Sequence, residues 1–193
     1  RLRLENSAIK FYVGDVRDRD SVDDVMSGVD YVFHAAALKQ VPTCEFFPMQ
    51  ATQTNVIGSQ NIINSAISHG VSKVISLSTD KAVYPVNALG ITKALMEKVV
   101  QSTSRKLFQG QTILSLVRYG NVLFSRGSVI PLFLKQIREK KPITVTEYEM
   151  TRFLLPLKEA IQLVGFALQN GRQGDIFVCN APSANIGDLA QAL

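Results

Sequence analysis

The chain has 193 residues, 46% of them apolar and only 19% charged, enough to bury a substantial core within one globular unit. No stretch approaches the roughly 18 uninterrupted apolar residues of a membrane helix and no basic-then-apolar leader opens the chain, which points to the cytoplasm and to no membrane association. The net charge of +5 comes from scattered basic residues with no aromatic interleaving, so it argues against a nucleic-acid partner and is equally served by a small anionic substrate.

Apolar runs closed by turn residues alternate with longer stretches of helical period, the pattern of a parallel sheet covered by helices. Residues 9–13 predict a short strand ending in Gly14-Asp15-Val16, and residues 21–26 a short helix. Residues 30–37 (DYVFHAAA) predict a second strand, whose exit Ala35-Ala36-Ala37 lets backbone approach a ligand. Residues 51–69 carry an apolar stripe from Val56 to Ile67, with Gly70 where a left-handed C-terminal residue is wanted. Residues 74–78 (VISLS) predict a buried strand, followed by the polar loop Thr79-Asp80-Lys81 and a long helix over 88–105. Residues 113–117 predict another strand, leading to Arg118-Tyr119-Gly120-Asn121. Beyond it, residues 128–140 read as helical, 142–146 as extended and 157–168 as helical, a tail that resembles a substrate-side subdomain. With no repeat, low-complexity tract or linker, the chain divides into 1–121 and an interwoven 122–193 that does not fold by itself.

The informative residues cluster at strand exits, where an open parallel sheet forms its ligand crevice. Taken alone, Asp15 and Asn55 read as helix caps, His34 and His69 as structural, Cys44 and Cys179 as reduced thiols, and a lysine such as Lys93 as solvated helix surface. No metal-ligand spacing is present. Thr79-Asp80-Lys81 is the sharpest feature: a capped helix start explains Asp80 and leaves Lys81 without a purpose.

The strings GDVRD, YVFHAAALKQVPTCEFFP, TNVIGSQN, SLSTDKAVYPVNALGITK, RYGNVLFSRGSVIPLF and EMTRF, in this order, are similar to the extended short-chain dehydrogenase/reductases. Within them they resemble the capsule and O-antigen UDP-N-acetylglucosamine 4,6-dehydratase/5-epimerases of polysaccharide biosynthesis. The resemblance implies an α/β, Rossmann-like doubly wound parallel sheet and a tightly held NADP or NAD. It places Asp15 and Val16 at the adenine end, Ala35, Ala36 and Ala37 along the dinucleotide, and Lys93, with Tyr119, at the nicotinamide side. It further implies Thr79 at the sugar near carbon 4, Asp80 and Lys81 as acid and base of dehydration, and Lys39, Asn121, Ser128 and Arg152 as contacts to a UDP-sugar. Homo-oligomers are the family's habit.

Two departures accompany it. The superfamily's Y-x-x-x-K pair reads Leu89-x-x-x-Lys93, so the tyrosine base is missing. None of the 12 glycines forms a G-x-x-G-x-x-G phosphate loop, and the chain is expected to start just before the third strand, lacking the first strand-helix-strand, and to stop near a helix at Leu193. A UDP-hexose 4-epimerase and a catalytically silent Rossmann scaffold are the rival readings.

Overall fold

The computed structural model describes residues 8–125 and 127–193; Arg126, inside the string RYGNVLFSRGSVIPLF, lies outside them. Four parallel strands form one sheet in the order β1-β2-β3-β5, comprising β1 (Tyr31–His34), β2 (Lys73–Thr79), β3 (Ile113–Tyr119) and β5 (Ile176–Val178). The pleat splits their side chains between two cores. Val74, Leu114 and Leu116 pack under α1 (Arg19–Met26), α4 (Gly58–Ser68) and α5 (Ala88–Ser104), whereas Ile75, Leu77 and Val117 pack against α7 (Leu157–Asn170). Helices on both faces explain why β2 and β3 read as apolar runs in the sequence.

The helix ends follow local chemistry. Asp18 caps α1 through Asp20 N, Asn87 caps α5 through Gly90 N, and Gly70, at φ +69°, ends α4 where His69 closes the last turn. Asp15 is therefore not the cap; its carboxylate accepts from the backbone N of Arg17 at 2.9 Å and from the Arg17 guanidinium. That guanidinium holds the Asp15 carboxyl down to about 2.

Several expectations are corrected. Residues 9–13 form no strand, and Phe11, Tyr12 and Val13 are exposed. In a doubly wound sheet the third strand hydrogen-bonds to the second, and among the described residues no strand occupies that place. Nothing described pairs with the outer edge of β1 either, so Tyr31 and Phe33 are half exposed or more. The helix expected over 51–69 is three pieces: α3 (Pro48–Thr52), a π-helical turn over Gln53–Ile57, and α4. Residues 142–146 are extended neither by ladder nor by pairing. Unforeseen are α2 (Val41–Phe46) and the antiparallel pair β4 (Thr151–Phe153) with β6 (Ser183–Asn185); α6 is Val129–Arg138, and the helix expected near Leu193 is α8 (Ile186–Gln191). The segment after residue 121 also returns β5 to the sheet.

Candidate functional site

The carboxyl ends of β1, β2 and β3 open into a cleft of about 560 Å³. It is lined by Ala35, Ala37, Lys39, Thr79, Lys81, Lys93, Tyr119, Asn121 and Ser128, nine of the residues singled out from the sequence. Asp80 is not on the lining; it sits immediately behind, its Oδ2 3.4 Å from where a Cβ on Gly120 would stand. Arg152 lines an adjoining cavity of about 220 Å³ that shares Asn121 and Ser128 with the cleft. Ala36 lines neither cavity. Nor do Asp15 and Val16: Val16 packs into the apolar core and against Gly58.

The polar cluster after β2 is built by one tight turn. Thr79 is extended and caps the 3-10 turn Asp80–Ala82, and its hydroxyl donates to Asp80 Oδ1 at 2.8 Å. Lys81 Nζ reaches the same oxygen at 3.0 Å. The two charged side chains are about a third exposed, 36% for Lys81 and 30% for Asp80, so the pair stands at the rim and not in bulk solvent.

Lys93 is on the floor. It is a buried residue of α5 rather than a solvated one, and its Nζ donates to the carbonyl of Leu77 at 2.7 Å. Burial pulls its ammonium down to about 8, opposed by the carboxylate of Glu97 one turn later. Leu89 also lines the cleft, 5% exposed, and packs with Cys44 and Ala51. Burial pushes the Tyr119 hydroxyl upward. His34, paired with Ser59 Oγ at 2.8 Å, is held down to about 4 by burial and by the charge of Lys93, and His69 bonds the carbonyl of Ser65. Both histidines are thus satisfied within the fold. Among the described residues no group of three or more His, Cys, Asp or Glu could hold a metal, and both cysteines are free thiols.

Sequence reasoning missed Gly127, Leu157 and the buried pairing of Glu97 with Arg118. Gly127, with φ +76°, holds its Cα against the amide of Gln40 across the cleft, which no local pattern announces. Leu157 enters from α7, far along the chain. Only Glu97 left a trace, as the acidic residue one turn after Lys93 on the same helix.

The family model for polysaccharide biosynthesis proteins matches residues 2–193. The chain belongs to that family. Within this polysaccharide biosynthesis family, a curated protein from Rickettsia prowazekii described as a UDP-glucose 4-epimerase is 59% identical over all 193 residues, and the chain spans 57% of its length. Among solved structures, Pen from Bacillus thuringiensis is 40% identical and superposes with a TM-score of 0.94 over 98% of this chain and 60% of its own. DesIV from Streptomyces venezuelae, a dTDP-glucose 4,6-dehydratase solved with NAD and TYD bound, is 21% identical with a TM-score of 0.88, covering 97% of this chain and 63% of that one. This last likeness is one of fold: the Rossmann-like α/β sheet. No described helix is long and apolar enough to cross a membrane.

Proposed function

We propose that the chain is the catalytic part of a nucleotide-sugar-modifying enzyme that dehydrates UDP-N-acetylglucosamine across carbons 4 to 6 and inverts carbon 5. One observation carries the reading: Asp80 and Lys81 share a proton-bearing contact of 3.0 Å at the rim of a cleft whose floor is a buried lysine. A proton acid and a proton base on adjacent residues are what elimination next to a ketone requires.

The residues present fit part of a dinucleotide. Ala35 and Ala37 leave the sheet end bare of side chains, and Lys93 stands below as a donor for ribose hydroxyls. For the phosphates of a UDP-sugar, Ser128 is a donor: it precedes the first turn of α6, and its buried Oγ has no hydrogen-bond partner among the described residues. With Asn121 beside it and Arg152 in the adjoining cavity, that helix start suits the diphosphate of a UDP-sugar.

An NAD or NADP bound there would take a hydride from carbon 4 and later return it to carbon 6. The chain's own residues handle protons. Thr79 orients the sugar at carbon 4, whose hydroxyl proton passes to solvent as that carbon is oxidised. The Asp80–Lys81 contact holds one proton between two groups, and its transfer from Lys81 to Asp80 makes the amine a base and the carboxyl an acid. Lys81 then removes the proton of carbon 5, acidified by the neighbouring ketone, while Asp80 protonates the hydroxyl leaving carbon 6 as water. Reprotonation of carbon 5 from the opposite face gives the inverted 4-keto-6-deoxy sugar.

A second reading, UDP-hexose 4-epimerisation, draws on the description of the Rickettsia relatives. It needs no carbon 5 or carbon 6 chemistry and leaves Asp80 and Lys81 idle. The two separate in one experiment, with the chain extended to its relatives' full length and supplied with UDP-N-acetylglucosamine. A 4-keto-6-deoxy product that vanishes in Lys81→Ala supports dehydration; UDP-N-acetylgalactosamine as the only product establishes epimerisation; no product with either cofactor leaves a silent scaffold. Homo-oligomerisation, a habit of the family, is part of this proposal and is read by sedimentation of the same protein.

A further inference from the structure

Behind the cleft lies a buried ion pair that the proposed chemistry does not use. Glu97 is 3% exposed and sits on α5 one turn after Lys93. Its Oε1 accepts from Ser78 Oγ at 2.5 Å and from Arg118 Nε at 2.8 Å, and its Oε2 from Arg118 Nη2 at 2.5 Å. Ser78 and Arg118 are register partners at the ends of β2 and β3, each directly preceding the residues that line the cleft, Thr79 and Tyr119. One carboxylate therefore fastens both strand exits to the helix that carries Lys93.

Such a pair is not explained by stability, since a buried ion pair contributes little over an apolar replacement of the same shape. It does have an electrostatic consequence. Lys93 is buried, and its Nζ donates to Leu77 O and Met96 Sδ, neither of them charged. An ammonium in that setting loses its hydration and favours the neutral amine unless an anion stands near. The elements packed on α5 carry further titratable groups, Cys44 and Glu45 on α2, Lys73 on β2, Asp80 and Lys81 in the turn after β2, and Arg118 with Tyr119 on β3, while His34 of β1 feels the charge of Lys93; α3, the π-helical turn and α4 carry none. Glu97 is the carboxylate whose charge acts on Lys93, and it raises the lysine against the pull of burial.

We propose that Glu97 is a positioning residue that locks the exits of β2 and β3 onto α5 and keeps the Lys93 ammonium charged on the floor of the cleft. Its consequence for turnover rests on the reading of that cleft given above; its effect on Lys93 does not. Arg118 is the counter-charge of this buried carboxylate, and Ser78 adds a hydrogen bond to its Oε1.

The test is a pH titration of the Lys93 ε-carbon by NMR in the full-length protein labelled with ¹³C-lysine, the resonance assigned by its loss in Lys93→Arg. The native midpoint is expected near 8. Glu97→Gln is expected to lower it by roughly one pH unit, the size of a single nearby charge in a partly screened site. Glu97→Asp, which keeps the charge, returns it toward the native value. The paired change Glu97→Gln with Arg118→Met removes both charges and fills the site with apolar volume, a replacement that folds where a lone uncompensated partner fails; it too lowers the midpoint. A midpoint within about 0.2 unit of native in either glutamine variant overturns the proposal, because a one-unit effect is what a nearby charge exerts. No sugar and no turnover enter this measurement, so a negative product assay and a negative titration speak to different claims.

Discussion

The side-chain amide of Asn55 grips the backbone of Leu38 at both polar groups, accepting from its N–H at 2.8 Å and donating to its carbonyl at 3.0 Å. The same Nδ2 also donates to Thr92 Oγ1 at 3.1 Å. Asn55 thus ties the segment leading into Lys39 to the residue before Lys93, from the centre of the π-helical turn over Gln53–Ile57. The wider turn sets Asn55 into the core where it meets both; such turns recur at functional sites.

Truncation of that clamp leaves the partly buried N–H of Leu38 unpaired and its carbonyl with only the weak Cys44 Sγ donor at 3.4 Å. Asn55→Ala is expected to lower unfolding stability by about 1–3 kcal/mol, the cost of an orphaned donor. Urea denaturation reads it. A loss below about 0.5 kcal/mol, the level of an ordinary surface change, would show that water replaces the amide there.

Gly90 bears on the chemistry through shape. It is in the first turn of α5, and a Cβ there falls on the carbonyl oxygen of Lys81, 3.3 Å from the Cα of Pro85 as well. Alanine would favour the helix by about 1 kcal/mol over glycine, but overlap with backbone costs about 1–3 kcal/mol and is relieved only by moving the Asp80–Lys81 turn. Gly90→Ala is therefore expected to cut turnover at least tenfold, about 1.4 kcal/mol of lost transition-state stabilisation, with a small change in melting temperature. Full turnover would mean that the turn is free to shift without consequence.

Much of this was legible in the sequence, for local reasons. The strands after residue 73 and 113 are buried on both faces, so composition alone betrays them; the turn Thr79-Asp80-Lys81 was found because a hydroxyl, an acid and an amine share one strand exit. What escaped depended on distance. Residues 9–13 have strand composition and, among the described residues, no partner strand. Asn55 looked like a cap because a π-helical turn has no simple periodicity, and Lys93 looked solvated because the layer that covers it, β2 with Leu77, comes from another part of the chain. The short strand β4 is exposed and its partner β6 partly covered, and three residues carry no period.

His34 gives the fold an acid sensitivity whose direction is fixed. In the unfolded chain the imidazole takes its proton near 6.5, whereas burial and the charge of Lys93 hold the folded value near 4. Between those values the unfolded state binds more protons, so stability falls as pH drops from about 6.5 to about 4 and is unaffected above that window. His34→Gln, which retains a polar partner for Ser59, removes this part of the slope, worth on the order of 3 kcal/mol at the acid end. Urea midpoints of both proteins at several pH values between 4 and 7 measure it; parallel curves would place the His34 proton elsewhere.

Leu89 stands four residues before Lys93, where the short-chain dehydrogenases that this sequence resembles place their tyrosine base, and here it is an apolar wall packed on Cys44 and Ala51. A side chain with no proton to exchange contributes shape alone. Leu89→Met keeps volume and polarity, so it is expected to cost less than about 1.5 kcal/mol in stability and to leave turnover within about threefold. Leu89→Tyr adds a ring and a hydroxyl to a packed wall; it is expected to destabilise by about 1–3 kcal/mol without raising turnover. A gain of tenfold or more in Leu89→Tyr would show that the 4-hydroxyl lacks an adequate base in the native protein. Asp80 and Lys81 would keep their proposed roles at carbons 5 and 6 in that event.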